Sequence, residues 1–364
     1  MNDFGVCRCV RRRPGGRVIK MRTVVAGLVP CLLGACLGTA RAAPPDVVSF
    51  KGVCDASAAI ALDATRIIVG DDEKPWLSIY GLDGGDRLSK IVLPHLAGGG
   101  EADIEGAAIL GDRIVWISSN GRDKHGNVEA GRLQLFASHR LDADHQWAED
   151  FSPSFGGLPA AIAATNGPAY KPLRKAVGDL NHPDPDLAPK KHGFNIEGIA
   201  VSQDGEALLI GLRNPHPHGE AILFRVDNAA ALLDGTASTP KLGEIVKLDL
   251  GDRGIRDIVW SPAHHAYLIA AGQTDDDDPG PGFALFRWDG SGSPQEITSF
   301  RGVLQANPDF HPEAVTPLLE MSGGPSRRVL VVSDDGSKKL ADGTRCKDAD
   351  RSLKSFRAVV ITVE

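Results

Sequence analysis

The stretch Asp103-Ile104-Glu105-Gly106-Ala107-Ala108 decides the fold, because close variants of it recur along the chain. The other copies are Asn195-Ile196-Glu197-Gly198-Ile199-Ala200, Gly254-Ile255-Arg256-Asp257-Ile258-Val259, His311-Pro312-Glu313-Ala314-Val315 and, more weakly, Asp55-Ala56-Ser57-Ala58-Ala59-Ile60. A short apolar run follows each copy and ends in polar residues such as Ser118-Ser119-Asn120-Gly121. This recurrence predicts several copies of one structural unit.

The spacing of the copies indicates which unit is repeated. Equivalent positions are 48, 92, 59 and 57 residues apart, and they are occupied by Ser57, Glu105, Glu197, Arg256 and Glu313. Several short runs rich in Val and Ile in each unit favour the blades of a β-propeller, whereas helical repeats would need longer runs. We therefore predict an all-β fold, a β-propeller with five recognisable blades.

The interval of 92 residues departs from the others. Residues 151–191 contain seven prolines and one apolar run, so they predict an insertion over one face of the propeller. A divergent sixth blade is the alternative. Ring closure needs the ends of the chain to meet, and Val47-Val48-Ser49-Phe50 is the strand expected to complete the last blade. The propeller domain would then span residues 43–364.

The amino terminus has the pattern of an export signal. A basic stretch ends at Arg22, residues 24–37 are apolar, and Ala40-Arg41-Ala42 has the form of a cleavage site. We predict a signal peptide over residues 1–42, with Met21 as the expected start, and a periplasmic or secreted protein. Lipidation at Cys36 is the alternative.

The rest of the chain excludes several partner classes. Residues 43–364 carry 32 basic and 46 acidic side chains, a net charge of −14, which disfavours nucleic acid. No later segment is apolar for the length of a membrane span, and we expect a monomer. Of the six cysteines only Cys54 and Cys346 follow the signal, and export makes them a candidate disulfide. Two unrelated buried cysteines are the alternative.

The equivalent positions predict a ring of side chains around the channel, which includes Glu105, Glu197 and Glu313. Three carboxylates around one axis repel one another unless a cation or Arg256 compensates them. Three hypotheses follow: a static hydrogen-bonded network, a bound cation for which calcium suits the oxygen ligands, and acid/base catalysis. Polar residues after the second strands extend the candidate ligand site, which comprises Asp72, Asn120, Arg122, Arg213, Asn214, Arg256 and Asp334.

Other chemistry lacks its motifs. The sequence contains no G-x-S-x-G, no Walker A motif and no G-x-G-x-x-G that opens a helix after a strand. The histidines of His216-Pro217-His218 and His264-His265 lack the partners of a zinc site, and we expect them to be exposed in turns. Hydride transfer and nucleotide hydrolysis are therefore disfavoured.

The chain resembles a bacterial family known as domain of unknown function thirty-six sixteen. The resemblance rests on six segments: Cys54-Asp55-Ala56-Ser57-Ala58, Gly70-Asp71-Asp72-Glu73, Glu101-Ala102-Asp103-Ile104-Glu105-Gly106, Trp116-Ile117-Ser118-Ser119-Asn120-Gly121-Arg122, Asn195-Ile196-Glu197-Gly198 and Leu209-Ile210-Gly211-Leu212-Arg213-Asn214-Pro215. It covers most of residues 50–364. The family looks like a propeller relative of the esterase-like phytases, which implies a fold and assigns no catalytic residue.

Three functions are compatible with these features. The first is binding of a small polar ligand at the channel mouth, through a calcium ion if one is present. The second is cation-dependent hydrolysis of phosphate esters or lactones, and the third is a scaffold that binds envelope proteins.

Overall fold

The computed structural model describes residues 45–93, 101–139, 151–275 and 280–364, so the expected signal at residues 1–42 lies outside the described residues. Most regular structure in the described residues belongs to five antiparallel β-sheets. The prediction of an all-β fold is confirmed.

The strands follow the repeated units in chain order. The first strand is β1 (Val47–Lys51). The first sheet contains β2 (Ala56–Ala61), β3 (Arg66–Asp71), β4 (Trp76–Gly81) and β5 (Ser89–Val92). The second contains β6 (Ile104–Leu110), β7 (Arg113–Ser118) and β8 (Leu135–His139). The third contains β9 (Asn195–Val201), β10 (Leu208–Asn214), β11 (Glu220–Val226) and β12 (Leu242–Asp249).

The last two sheets complete the ring. The fourth contains β13 (Gly254–Ser261), β14 (Ala266–Gly272), β15 (Ala284–Trp288) and β16 (Gln295–Glu296). The fifth contains β17 (Pro312–Leu319), β18 (Pro325–Ser333), β19 (Ser355–Thr362) and β1. The innermost strands β2, β6, β9, β13 and β17 contact one another in that order, and β17 contacts β2. The fold is therefore a five-bladed β-propeller, as predicted.

Apolar contacts between blades form the core. Five hydrophobic clusters each join two consecutive blades, which buries both faces of the inner strands.

Close packing between blades also explains why glycine follows glutamate in two copies of the repeat. A Cβ atom on Gly106 would lie 2.9 Å from Ile199 Cγ2, and one on Gly198 would lie 3.0 Å from Ile255 Cγ2. Larger residues at these positions would push neighbouring blades apart.

Residues 151–191 do not form a sixth blade. Their first part runs beside β8, where Leu135 N donates to Phe155 O at 2.9 Å and Phe155 N donates to Leu135 O at 2.8 Å. The segment continues into two short helices, α1 (Leu158–Ala164) and α2 (Lys171–Val177). Two further α-helices lie elsewhere in the described chain, α3 (Ala229–Leu233) and α4 (Arg301–Ala306). None of the described helices is both long enough and apolar enough to cross a membrane.

The ends of the propeller meet as the sequence predicts. The strand β1 pairs antiparallel with β19, with Val48 opposite Ala358. Cys54 and Cys346 form a disulfide, with their Cα atoms 5.9 Å apart. Both predictions are confirmed, and the first and fifth blades are joined by backbone hydrogen bonds and by a covalent bond.

Candidate functional site

Each of the five equivalent residues lies at a β-bulge of an innermost strand. In the second blade Ile104 pairs with Ser118 and Gly106 pairs with Ile117, so Glu105 between them has no partner in the ladder. The same shift of register occurs at the four other positions, which are Ser57, Glu197, Arg256 and Glu313. A bulge turns a side chain away from the regular alternation of a strand. The repeated motif therefore points five side chains towards one place.

That place is a cavity of about 540 Å³. All five bulge residues line it, together with Asp72, Arg213 and Asp334 from the set predicted for ligand binding. Residues 188–191 of the long segment between the second and third blades also line it. A cavity of this size suits a small molecule.

Arg256 joins two of the three ring glutamates. Its Nε atom lies 2.8 Å from Glu197 Oε2 and donates to Glu313 Oε2 at 2.7 Å, and its Nη2 donates to Glu313 Oε1. Glu197 Oε1 also accepts hydrogen bonds from Arg213 Nη1 at 3.1 Å and from Asn195 Nδ2 at 2.8 Å. The side chains of these five residues form a buried network in which two arginines balance two carboxylates.

The third ring glutamate, Glu105, lies outside this network. Within the described residues its carboxyl group makes no hydrogen bond or ion pair, and the same holds for the side chain of Asp72. Burial first, and then the neighbouring Glu197 and Asp103, raise the pKa of Glu105 well above its ordinary value. Burial, followed by the charges of Asp334 and Asp55, does the same to the pKa of Asp72. Among the described residues, Glu105 and Asp72 are thus carboxyl groups of the cavity wall that lack a direct hydrogen-bonding or ion-pair partner.

Two further aspartates extend the acidic side and were missed by the sequence analysis. Burial and the charge of Asp334 raise the pKa of Asp55 to about 8, and burial raises the pKa of Asp103 to about 6. Asp103 accepts hydrogen bonds from Arg132 Nη1 at 2.9 Å and from Ser119 Oγ. Their position in the sequence could have identified them, since each lies two residues before the bulge residue in its copy of the repeat.

The raised pKa values give a prediction about stability. We expect the unfolding midpoint to fall as the pH rises from about 7 to about 8.5. Asp55, with a pKa of about 8 in the folded protein, keeps a proton that the unfolded chain has already lost near pH 4. The folded state thus binds more protons, and its stability declines as the pH rises. The prediction is restricted to pH values above 6.5 because of His264, whose pKa is lowered by burial. Below pH 6.5 this histidine makes the stability rise with pH, which opposes the effect of the aspartates.

Calorimetry over this pH range checks the prediction. Asp72→Asn removes one of the contributing carboxyl groups and should flatten the profile. A midpoint that rises with pH between these limits would contradict the assignment of protonated carboxyl groups to the cavity.

Three residues predicted for ligand binding do not line the cavity. Arg122 donates to four backbone carbonyl groups. Asn120 Nδ2 donates to Ser118 O at 2.8 Å, and Asn214 Nδ2 donates to Pro189 O at 3.0 Å and to Thr274 O at 2.7 Å. In each case a polar side chain at a strand end satisfies nearby backbone carbonyls. We therefore do not include these residues in the ligand site.

The histidines also differ from expectation. His265 and His218 are exposed, His216 is half-buried, and His264 is buried. Its Nδ1 lies 2.6 Å from Ser261 Oγ and its Nε2 lies 3.0 Å from Val363 O, so the ring connects the fourth blade to the end of the fifth. The prediction that His264 lies exposed in a turn was wrong.

The fold and the cavity define a five-bladed propeller with a charged site at one mouth of its channel. Residues 177–346 match the family described as "Protein of unknown function (DUF3616)", which confirms the family recognised from the sequence over that range. A comparison with curated protein sequences gives no match. The relation to esterase-like phytases stays an implication of the resemblance.

Several solved propeller structures are similar to the chain at low identity. The glutaminyl cyclase of Myxococcus xanthus is 10% identical with a TM-score of 0.42, and the match covers 88% of this chain and 100% of that chain. The aldose sugar dehydrogenase of Streptomyces coelicolor, solved with bound PQQ, is 12% identical with a TM-score of 0.42 over the same shares. The virginiamycin B lyase of Staphylococcus aureus is 11% identical with a TM-score of 0.38, covering 88% of this chain and 89% of that chain. At these values none of the three assigns an activity to this protein.

Proposed function

We propose that this protein binds a small polar ligand at the mouth of the propeller channel and that a positive charge occupies the acidic side of the cavity. One observation carries the proposal. Glu105 and Asp72 face the cavity without a side-chain hydrogen bond or ion pair in the described chain, whereas Arg256 forms ion pairs with Glu197 and Glu313. A cation at Glu105 and Asp72 would supply the missing compensation and displace their protons.

The distribution of charge suggests how a ligand would be oriented. The acidic side combines Glu105 and Asp72 with Asp55 and Asp334, and these groups come from the first, second and fifth blades. Lys191 lines the same cavity from the long segment before the third blade. A ligand with a cationic end would place it against the carboxyl groups, and an anionic end would be attracted to the lysine.

The cation can belong to the ligand or be a metal ion. Among the described residues no group of three His, Cys, Asp or Glu side chains is arranged to hold a metal. Calcium takes six to eight oxygen ligands, and the carboxyl groups of the cavity would share such an ion with oxygens of the bound ligand. Calcium and an organic ammonium compound are therefore tested separately.

A thermal titration tests the proposal. We expect saturating calcium chloride or ethanolamine to raise the unfolding midpoint by about 5 °C, since ligands that bind only the folded state stabilise it by mass action. Glu105→Gln should abolish the shift because it removes the carboxyl group that would bind the cation and keeps the side-chain volume. Glu320→Gln, an exposed glutamate outside the cavity, is the matched control and should retain it.

Two results would contradict the proposal. One is a midpoint that neither cation changes. The other is an equal shift in Glu105→Gln and in the wild-type protein, because the cation would then bind elsewhere.

Hydrolysis is a second candidate, and the pKa values of the cavity wall favour it. Asp103 and Asp55, with pKa values of about 6 and about 8, lie on either side of neutral pH. Carboxyl groups in this range can give and take protons during a reaction. Assays with p-nitrophenyl phosphate and a simple lactone, with and without calcium, decide between turnover and binding alone.

We also propose that the protein acts outside the cytoplasm. The disulfide between Cys54 and Cys346 supports this location, because disulfides persist mainly in oxidising compartments.

A further inference from the structure

A buried arginine fixes the segment that covers part of the channel mouth. We call residues 179–193, between α2 and β9, the mouth strap. Apart from a 3-10 helix at Pro185–Leu187 the mouth strap has no regular structure. Its residues 188–191 line the cavity. The mouth strap therefore forms one part of the cavity wall.

The first anchor of the mouth strap is Arg122, which is 4% exposed. Its Nη2 donates to Asp179 O at 2.7 Å and to Val177 O at 3.1 Å, at the end of α2 and the start of the mouth strap. Its Nη1 donates to His182 O at 2.9 Å and to Gly126 O at 2.8 Å. One guanidinium thus binds two carbonyls at the start of the mouth strap, one at the end of α2 and one in the loop between β7 and β8.

Close backbone contact supports this anchor. Asp184 N donates to Gly126 O at 3.0 Å, and a Cβ atom on Gly126 would lie 2.2 Å from Asp184 C. Gly126 also has a φ of 83°, which favours glycine. The loop between β7 and β8 is therefore shaped to receive the mouth strap.

The second anchor acts at the other end. Asn214 Nδ2 donates to Pro189 O at 3.0 Å and to Thr274 O at 2.7 Å, so it ties the mouth strap to the third and fourth blades. Pro189 is itself one of the residues that line the cavity. The mouth strap is thus held at its start by Arg122 and, within the part that faces the cavity, by Asn214.

We propose that Arg122 and Asn214 are positioning residues that hold the mouth strap over the cavity and thereby control access to the acidic wall. The proposal extends the proposed function, since the site they cover is the ligand site. It concerns the placement of the mouth strap and can be tested without a ligand.

The test compares Arg122→Ala, Arg122→Lys and Asn214→Ala with Arg174→Ala. Arg174 is the matched control, because its Nη1 donates to Thr165 O at 2.7 Å and to Gly167 O at 2.8 Å within the same long segment but outside the mouth strap. Hydrogen exchange of residues 179–193 reports the placement of the mouth strap. Modification of Glu105 by a water-soluble carbodiimide with glycinamide, mapped by mass spectrometry, reports access to the cavity.

We expect Arg122→Ala to speed exchange in the mouth strap by about tenfold to a hundredfold, because hydrogen bonds to a charged donor are lost there. Modification of Glu105 should become faster in the same variant, while exchange in β9 and β13 stays at the wild-type rate. The exchange and modification rates of Arg122→Lys should lie between those of the wild type and those of Arg122→Ala, since one ammonium group cannot reach all four carbonyls. Arg174→Ala should leave both measurements in the mouth strap and at Glu105 unchanged.

Unchanged exchange in the mouth strap of Arg122→Ala would overturn the proposal, as would an equal acceleration in Arg174→Ala. If Arg122→Ala does not fold, the test uses Arg122→Lys and Asn214→Ala. The proposal would be overturned if both of these variants showed the wild-type rate of exchange in the mouth strap and the wild-type rate of Glu105 modification. A failed cation titration together with faster exchange and modification would reject the proposed function and keep this inference.

Discussion

Removal of the disulfide should lower the free energy of unfolding by about 5 kcal/mol, the largest single effect expected in this protein. Cys54 and Cys346 are separated by 292 residues, so the bond restricts almost the whole unfolded propeller. In the chain-entropy model the stabilisation grows with the length of the closed loop. The figure is an upper value, because β1 and β19 still join the first and last blades through backbone hydrogen bonds. The unfolding midpoint should fall by about 10 °C.

Calorimetry of the Cys54→Ala/Cys346→Ala double variant measures this loss. Alanine is preferable to serine, because both cysteines are buried and a hydroxyl group there would add its own cost. The wild-type protein reduced under denaturing conditions and then refolded is the control for the bond itself. A midpoint within about 2 °C of the oxidised wild type would show that ring closure depends on strand pairing instead.

The repeated motif allowed the fold to be predicted because each copy contains the start of the inner strand of one blade. The five copies overlap the innermost strands, and even the weak copy at residues 55–60 includes all of β2 except its last residue, Ala61. The edge of the second blade was harder to recognise. That edge is formed by residues 151–155, a segment that contains a proline and lacks an apolar run. The segment forms backbone hydrogen bonds with the edge strand β8. Such a pairing depends on its neighbour more than on its own sequence.

The residues of the candidate site could be predicted where the same position recurs in each blade. The prediction was less accurate where a local turn sets the direction of the side chain. The bulges direct Glu105, Glu197 and Glu313 to one cavity because the same backbone irregularity recurs in each blade. Polar residues after the second strands vary more. Asp72 faces the cavity, whereas Arg122 binds backbone carbonyls, and both follow an apolar run in the sequence. The direction of a side chain at a strand end depends on loops that have no sequence signature of their own.

The buried network around Arg256 leads to the second large effect. We expect Arg256→Met to lower the free energy of unfolding by about 3 to 5 kcal/mol, the usual cost of removing one partner from a buried ion pair. The substitution keeps an unbranched apolar stem of similar length, so the loss reports charge more than volume. Glu313 would lose its bidentate partner, and Glu197 would keep only Arg213 and Asn195.

A double-mutant cycle separates the ion pair from packing. Arg256→Met/Glu313→Gln removes the guanidinium and also the charge it compensates, so the double variant should be more stable than Arg256→Met alone. Urea denaturation of the wild type, both single variants and the double variant measures the coupling. Additive losses would mean that Arg256 and Glu313 contribute independently, and the network could not then be the reason why the third and fifth blades tolerate the buried carboxylates of Glu197 and Glu313. A favourable coupling would instead leave Glu105 as the ring carboxylate that depends on a ligand for its compensation.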